Sequence, residues 1–323
     1  MTFFDMSLDQ LETYRPTVRE PQDFDDFWRR TLAENPFDPQ HIQITDYPSR
    51  LRSVRVRDVM FPGFGGTPIA AWLITPVTPG PHPVIVRFIG YGGGRGFPEE
   101  NLIWASAGFA EFIVDNRGQG GGFGSGGNTR DCDGGGPATS GCLTRGILNP
   151  DEYYYRRLFT DAHHAVCTLA HIPDVDPQQI ITAGGSQGGA LAITAAALHP
   201  DIRAVMADVP FLCHIERSIG LTGAQPWAEI VRFLSVNRDS REAVYHTLSY
   251  FDVVNMAKRA TAPALFSTAL MDMVCPPSTV YAMKNWYNGP HEIAVYHFNG
   301  HEGGGTYQIR RQLSWLTQTI LQK

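Results

Sequence analysis

The chain has 323 residues, of which 43% are hydrophobic, enough to bury a sizeable core without disulfides or a structural metal. Its formal net charge of -6 and its scattered lysines and arginines exclude the basic surface of a nucleic-acid binder. The N-terminus is acidic, no apolar run approaches a membrane span, and the five cysteines form no CxxC pair. We therefore expect a soluble, cytoplasmic protein with reduced thiols and with neither membrane nor nucleic-acid partners.

Apolar patterns in the first half of the chain predict a helix followed by strands, with a second, short helix among them. Residues 23–32 have helical spacing. Residues 54–61 and 69–75 flank a segment rich in turn residues, so they predict an antiparallel hairpin. Near-continuous apolar runs at 83–90 and 110–117 are typical of strands buried on both faces, and a short helix is predicted between them, around 102–107.

Strands and helices alternate in the second half. The glycine-rich segment 118–141 predicts a loop. The elements predicted after it are helices at 151–169, 190–197 and 306–321 and strands at 180–183, 204–207, 264–269 and 293–298. This alternation favours an α/β fold with a mostly parallel twisted sheet covered by helices on both faces. We expect one domain over residues 1–323, with an N-terminal helical extension at about 1–45 and a helical insertion at about 211–262.

A glycine-rich turn around one serine follows the strand at 180–183. The run Gly184-Gly185-Ser186-Gln187-Gly188 fits G-x-S-x-G, with a strand before it and a helix after it, as the nucleophile turn of α/β-hydrolases requires. Glycines let the backbone turn tightly beside the serine, and the helix N-terminus favours a developing oxyanion. A phosphate loop would need a lysine that this run lacks. A serine in a purely structural turn remains an alternative.

A second glycine pattern, G-x-G-x-x-G, lies at residues 122–127. A dinucleotide-binding loop of this type must open directly into a helix, and the sequence that follows, NTRDCDGGGP, cannot form one. We therefore interpret this match as accidental and expect no cofactor.

The serine needs a base and an orienting carboxylate, which follow it in that superfamily in the order serine, acid, histidine. Asp272 and His301 each come just after a predicted strand, where an open parallel sheet builds its active site. We predict Ser186, Asp272 and His301 as the catalytic triad. Weaker candidates are Asp208, which comes too early, His297, which lies within a strand, and His214 and His246 in the insertion.

The main-chain N–H of Gln187 and that of Tyr91, in the glycine-rich loop after the strand at 83–90, are predicted to form the oxyanion hole. The Tyr91 side chain would line the acyl pocket.

A possible metal site lies on another helix, where His163, Cys167 and His171 share one face. With no matching ligand group elsewhere, we interpret that face as packed or solvated and expect no metal.

Several motifs together resemble the acetyl xylan esterase/cephalosporin C deacetylase family, the seventh of the carbohydrate esterase families. The likeness covers nearly the whole chain. Its residues are Arg117-Gly118-Gln119, Gly184-Gly185-Ser186-Gln187-Gly188-Gly189, His301-Glu302, TRGIL (144–148), YYYR (153–156), TLSYFD (247–252) and MDMVCPPST (271–279). The sequence departs from the family where Ile89 replaces a common histidine and Cys142 a common aromatic residue.

The resemblance implies a serine esterase of the α/β-hydrolase fold that deacetylates small esterified sugars and cephalosporin-type esters. It implies the same triad and oxyanion hole, with Pro226 and Val274 narrowing the acyl pocket toward acetate. Arg117 and Gln119 would be structural. It also implies a closed homohexamer whose internal cavity excludes polymers. The residues leave open a peptidase or dienelactone-type hydrolase on the same triad, and a non-catalytic binding protein on the same fold.

Overall fold

The computed structural model describes residues 3–131, 135–139 and 141–321, which form a nine-stranded sheet with helices around it. The strands are β1 (Gln43–Asp46), β2 (Val54–Pro62), β3 (Pro68–Pro76), β4 (His82–Phe88), β5 (Ala110–Val114), β6 (Val175–Gly185), β7 (Ala204–Asp208), β8 (Ala264–Ala269) and β9 (His291–Tyr296). Their order across the sheet is β1-β2-β3-β5-β4-β6-β7-β8-β9. The pairs among β4 to β9 are parallel, whereas β1, β2, β3 and β5 pair antiparallel in that order.

Helices cover both faces of this sheet. They are α1 (Leu8–Thr13), α2 (Phe24–Glu34), α3 (Ile103–Ser106), α4 (Tyr154–Leu169), α5 (Gln187–Leu198), α6 (Ile215–Leu221), α7 (Trp227–Val236), α8 (Arg241–Ser249), α9 (Val253–Ala257), α10 (Pro277–Trp286) and α11 (Gly305–Leu316). Alternate side chains of β4 enter opposite cores, because successive residues of a strand point to opposite faces. Val84 packs in the core that contains Leu158 of α4, and Ile85 packs in the core that contains Leu316 of α11.

The hairpin predicted near the start of the sheet is confirmed. β2 and β3 pair antiparallel from Val54 opposite Pro76 to Pro62 opposite Pro68. The turn between them includes Gly65 and Gly66, whose φ values of 63° and 74° lie in the left-handed region that glycine adopts at little cost. Turn chemistry and alternating apolar residues therefore specify this hairpin together.

Among the described strands and α-helices, β1 and α10 had no sequence prediction, and α1 had none beyond the general expectation of a helical N-terminal extension. The edge strand β1 is exposed at all four residues, so its sequence has no buried face to reveal it. The short helix α1 buries one residue, Leu11. The helix α10 starts at Pro277 after Pro276, a pair that reads as a loop in sequence although proline is favourable in the first turn of a helix.

The N-terminal extension and the insertion are in contact with each other. Residues 3–45 contain α1 and α2 but then enter β1, so the extension is less helical than predicted at its end. The predicted insertion lies between β7 and β8 and contains α6 to α9. Trp28 of α2 donates a hydrogen bond to the Tyr250 carbonyl oxygen at 3.2 Å, which joins extension to insertion. None of the described helices combines the length and apolarity that crossing a membrane requires.

The parallel strands place the ends of β4, β6, β7, β8 and β9 at the same edge of the sheet. A sharp turn joins β6 to α5 at that edge, and the insertion follows β7 there. This arrangement is the α/β-hydrolase fold, as the sequence predicted. Loops that follow parallel strands in such a sheet are the expected place for an active site.

Candidate active site

Ser186 occupies a strained position between β6 and α5. Its φ of 57° and ψ of -122° lie outside the regions that non-glycine residues favour. Such strain costs on the order of 1–3 kcal/mol and persists when surrounding contacts hold it. Here the Ser186 N–H donates to the Asp208 carbonyl oxygen at 2.9 Å, and the Ser186 carbonyl oxygen accepts from the Phe211 N–H at 3.0 Å. These bonds fix the turn from both sides.

The glycines around the turn differ in what they allow. A Cβ on Gly184 would overlap the main chain of Gly188, and one on Gly188 would overlap the carbonyl group of Phe88. Both positions therefore need glycine for close approach. Gly185 is not crowded, because a Cβ there would meet its nearest atom, the Asp208 carbonyl oxygen, at 3.9 Å. This residue lines the cavity.

Asp272 and His301 lie against each other just after the neighbouring strands β8 and β9. Nδ1 of His301 lies 2.9 Å from Oδ2 of Asp272, so an N–H at Nδ1 donates to the carboxylate. Oδ1 of Asp272 accepts from the N–H groups of Val274 at 2.8 Å and Cys275 at 3.0 Å. Because Asp272 is fully buried and its oxygens are occupied, its carboxylate can hold the imidazole in one orientation.

Ser186 and His301 line the same cavity, whose volume is about 1020 Å³. The Nδ1 bond to Asp272 leaves Nε2 of His301 as the nitrogen available to a nucleophile. No hydrogen bond joins the Ser186 hydroxyl to the His301 ring, both residues being among those described. Catalytic hydrogen bonds are often long before substrate binds, so the missing bond does not exclude a serine–histidine–aspartate relay.

The two amides predicted to bind an oxyanion are unused. Neither the Tyr91 N–H nor the Gln187 N–H donates a hydrogen bond to another described residue. Gln187 is the first residue of α5, where the helix leaves its N–H groups unpaired and its dipole favours negative charge. Tyr91 lies on the loop after β4 and lines the cavity beside Ser186. Both N–H groups are therefore without a partner among the described residues, although only Tyr91 of the two residues lines the cavity.

Two glutamine side chains form hydrogen bonds with the main chain of the loop that carries Tyr91. The side chain of Gln187 donates to the Ile89 carbonyl oxygen at 3.2 Å, and Gln119 accepts from the Gly92 N–H at 2.6 Å. Gln119 also donates to Gln187 Oε1 at 3.1 Å, which links the two supports. The Gln187 side chain thus holds the loop while its main-chain N–H stays free.

Arg117 joins α4 to the turn between β2 and β3 inside the protein. It is fully buried, and its Nε and Nη2 donate to the two carboxylate oxygens of Asp161 at 2.5 and 2.6 Å. Its Nη2 also donates to the Phe64 carbonyl oxygen at 3.3 Å. Arg117 and Gln119 therefore tie loops together and lie outside the ring of residues that line the cavity.

The glycine-rich segment near residues 120–127 packs on the Tyr91 loop. The Gly122 N–H donates to the Gly92 carbonyl oxygen at 2.8 Å, and the Phe123 ring lies so close to Gly93 that a Cβ there would require the ring to shift. No helix opens after residue 127 in the described segment up to residue 131. The G-x-G-x-x-G pattern is thus a close-packed loop without the helix that dinucleotide binding requires.

The remaining predicted pocket residues also line the cavity. Pro226 is buried and Val274 half-buried at its wall, together with the Tyr91 side chain. The Tyr91 hydroxyl, however, is held by Glu229 of α7, with oxygen separations of 2.9 and 3.0 Å. Burial, with the nearby Cys142 and Glu229, raises the pKa of Tyr91 far above its ordinary value, so the phenol stays neutral.

The sequence analysis missed three residues of the site. Glu229 and Phe123 line the cavity, and Cys275 lies beside Asp272 of the candidate triad. Glu229 also accepts from the N–H groups of Gly141 at 3.0 Å and Leu143 at 3.3 Å. Phe123 is 56% exposed at the cavity wall, and its signal was a lone aromatic residue in a glycine run. Burial raises the pKa of the Cys275 thiol well above its ordinary value, so this group is a neutral neighbour of the triad.

The weaker acid and histidine candidates are placed elsewhere. Asp208 also lines the cavity, but its carboxylate accepts from Gln308 and Gln312 of α11, each at 2.8 Å. Burial raises the pKa of Asp208 to about 6.

The histidine candidates also lie elsewhere. Burial lowers the pKa of His214 to about 4, and its ring lies 3.5 Å from the Tyr14 hydroxyl. His246 packs against Tyr250, and His297 against Phe298. None of these histidines lines the active-site cavity.

Two groups of side chains among the described residues bring possible metal ligands within 4.8 Å of one another. One is Asp272, Cys275 and His301 of the candidate triad. The other is His163, Cys167 and His199, whereas His171 instead packs against Phe37. The expectation that no further ligand group accompanies this helical face is wrong, because the fold brings the end of α5 against α4. Burial, with His199, lowers the pKa of His163 to about 3, and burial also lowers that of His199.

Comparison with known proteins identifies the family of this chain. The family model described as acetyl xylan esterase (AXE1) matches residues 1–319. The chain belongs to the acetyl xylan esterase family. The resemblance drawn from the sequence motifs is thereby confirmed.

Solved structures support this membership. An acetyl xylan esterase from Paenibacillus sp. R4 is 37% identical, with a TM-score of 0.89 over 98% of this chain and 100% of that one. Acetyl xylan esterase 1 from Thermoanaerobacterium sp. JW/SL YS485 is 34% identical, with a TM-score of 0.87 over 96% and 99%. These likenesses extend over essentially the whole length of both chains.

A curated relative is longer than this protein. The acetyl esterase Axe7A of Xylanibacter ruminicola is 27% identical over 303 residues, which make up 90% of this chain and 65% of Axe7A. The present chain thus spans about two thirds of that relative's length.

Proposed function

We propose that this family member is a serine carboxylesterase that removes acetyl groups from small acetylated carbohydrates, such as xylo-oligosaccharides, and from cephalosporin C-type esters. The observation that carries the proposal is the His301–Asp272 hydrogen bond of 2.9 Å beside a cavity that Ser186 also lines. The family match and the names of the two similar solved structures support the acetyl-ester chemistry.

In the proposed mechanism, Ser186 Oγ attacks the acetyl carbonyl carbon while Nε2 of His301 takes the hydroxyl proton. Asp272 stabilises the resulting imidazolium through Nδ1. The main-chain N–H groups of Tyr91 and Gln187 bind the oxyanion, whose charge exists in the transition state and not in the ester. His301 then protonates the departing sugar oxygen, and the acetyl group remains on Ser186.

The second half of the reaction repeats these roles with water. His301 removes a proton from a water molecule, which attacks the acetyl-enzyme and releases acetate and free Ser186. Pro226 and Val274, which line the cavity, are proposed to limit the acyl group to about the size of acetate. A pocket of that size predicts that the rate falls steeply from acetyl to butyryl esters.

The nucleophile assignment is tested with Ser186→Ala and 4-nitrophenyl acetate. We expect turnover to fall by several orders of magnitude while circular dichroism stays unchanged. Wild-type turnover in the variant would refute the assignment. Labelling of wild-type protein, but not of the variant, by a fluorophosphonate probe would separate an esterase from a non-catalytic protein on the same fold.

Substrate class is tested with a panel of acetylated xylo-oligosaccharides, glucose pentaacetate, cephalosporin C, polymeric acetyl xylan and peptides. We expect cleavage of the small acetyl esters. Hydrolysis of peptides without hydrolysis of acetyl esters would instead select a peptidase on the same triad.

We also propose a closed homohexamer with its active sites facing an internal cavity, and a cytoplasmic location, both on the basis of the family resemblance and composition. Light scattering coupled to size-exclusion chromatography tests the first, and cell fractionation the second. Rapid cleavage of polymeric acetyl xylan would argue against enclosed active sites.

A further inference from the structure

The group formed by His163, Cys167 and His199 lies apart from the cavity and outside the proposed reaction. His163 and Cys167 are four residues apart on α4, so they share one face of that helix. His199 directly follows the last residue of α5. The helix that begins beside Ser186 therefore ends at this group, some 18 Å away at about 1.5 Å per residue.

We propose that His163, Cys167 and His199 bind one Zn²⁺ ion that links α4 to the C-terminal end of α5. Two imidazoles and one thiolate are ligands that zinc prefers. A solvent molecule can complete a tetrahedral site, because all three side chains are half-buried.

The ligand spacing fits such a site. Cys167 Sγ lies 3.6 Å from His163 Nε2 and 3.8 Å from His199 Nε2. Zinc bonds of about 2.3 Å to sulfur and about 2.0 Å to nitrogen, at the tetrahedral angle, would separate these atoms by roughly 3.5 Å. The sulfur therefore stands at nearly the coordinating distance from both rings.

The two stacked rings must turn relative to each other to accept the ion. Their planes are 22° apart and their centroids 4.2 Å apart, and Nε2 of His199 lies 3.1 Å from the His163 carbonyl oxygen. A metal must lie near the plane of each ring, so His199 has to exchange this carbonyl contact for the metal bond. A turn of the His163 ring breaks no hydrogen bond at its buried Nδ1, which has no partner among the described residues.

The charges at the site can accommodate zinc. The Cys167 thiol loses its proton to solvent when the zinc–sulfur bond forms, and both imidazoles bind through neutral nitrogen, so one proton is released per ion bound. The site then carries one net positive charge. Asp201, whose carboxylate acts electrostatically on His199, partly offsets it.

The test uses the full chain, stripped with a chelator, dialysed and titrated with Co²⁺ as a spectroscopic substitute for Zn²⁺. We expect thiolate-to-cobalt charge-transfer absorption that saturates at one equivalent per chain and disappears when one equivalent of Zn²⁺ is added. Absence of this absorption at saturating Co²⁺ would overturn the proposal.

Variants locate the ion. Cys167→Ser should abolish the absorption and His199→Gln should weaken or abolish it, whereas His171→Gln, an exposed histidine two residues beyond α4, should leave it unchanged. Circular dichroism verifies that each variant is folded. Cys275→Ala should also retain the absorption, because the proposed site does not include the second group of ligand atoms. Persistence in Cys167→Ser, undiminished absorption in His199→Gln or loss in Cys275→Ala would refute the site.

Stability gives a second measurement. A ligand that binds the folded state raises Tm in proportion to the logarithm of its concentration above Kd. Zn²⁺ should therefore raise the Tm of the stripped wild type by several degrees and leave that of Cys167→Ser unchanged. An equal rise in both proteins would overturn the proposal.

Discussion

The hydroxyl of Tyr91 donates to the carboxylate of Glu229, with oxygen separations of 2.9 and 3.0 Å. Through this contact α7 of the insertion holds the loop whose main-chain N–H is proposed to bind the oxyanion. The same carboxylate accepts from the N–H groups of Gly141 and Leu143. One side chain therefore connects the insertion, the oxyanion loop and the segment after the glycine-rich loop.

Glu229→Ala should lower kcat by roughly 10- to 100-fold, because a shift of the oxyanion donor of about 1 Å can cost that much. Glu229→Gln keeps an acceptor oxygen and should lose less. Steady-state kinetics with 4-nitrophenyl acetate measures both. Glu242→Ala removes an exposed glutamate of the insertion and should leave kcat unchanged. A Glu229→Ala variant with the wild-type kcat would show that the loop holds its position without this contact.

The glycines before Ser186 provide a matched pair of substitutions. Gly184→Ala would force a Cβ against the main chain of Gly188, where the backbone cannot yield, and should destabilise the protein by about 1–3 kcal/mol or more. Gly185→Ala has its nearest atom at 3.9 Å and should change stability little. Urea unfolding of both variants gives the comparison. Equal stabilities would contradict the steric account of the turn.

Val274 provides a test of acyl selectivity that leaves the triad intact. Its main-chain N–H donates to Asp272 and its carbonyl oxygen accepts from Trp227, so Val274→Ala changes neither contact. A wider pocket should raise the ratio of kcat/KM for butyrate to that for acetate by about 10-fold, since a methylene in a pocket is worth about 1–3 kcal/mol. Val231→Ala, an exposed valine away from the cavity, is the control. An unchanged ratio would exclude Val274 as a size filter.

Asp208 should make stability depend on pH. Burial raises its pKa from 3.8 to about 6, so the folded protein binds this proton more tightly than the unfolded chain does. Protonated Asp208 contributes fully to the stability of the fold below about pH 4, and this contribution is lost as the pH rises through 6. The loss in the free energy of unfolding is at most about 3 kcal/mol.

Asp208→Asn cannot ionise and should gain Tm relative to wild type between pH 4 and 7. Thermal unfolding of both proteins across this range measures the difference. A difference that stays constant with pH would mean that the bonds from Gln308 and Gln312 keep the carboxylate ionised at little cost.

Local sequence patterns predicted most of the sheet because each pattern reports a nearby physical requirement. Turn residues mark the hairpin of β2 and β3, a mainly apolar segment marks the fully buried strand β8, and flanking glycines mark Ser186. The exposed strand β1 was missed for the complementary reason, since it has no buried face to mark it.

The order of Ser186, Asp272 and His301 along the chain predicted their meeting because parallel strands end at one edge of the sheet. The bond between Asp272 and His301 realises that prediction of proximity, whereas their catalytic roles remain a proposal.

The amino-acid sequence by itself determined the elements, their alternation and the turn that carries Ser186, because these follow from periodicity and backbone freedom over a few residues. Only the tertiary structure brought Glu229 to Tyr91, 138 residues away, and His199 to Cys167, 32 residues away. Such contacts depend on how helices pack over the sheet. No local sequence pattern around either residue of such a pair predicts its contact with the other residue.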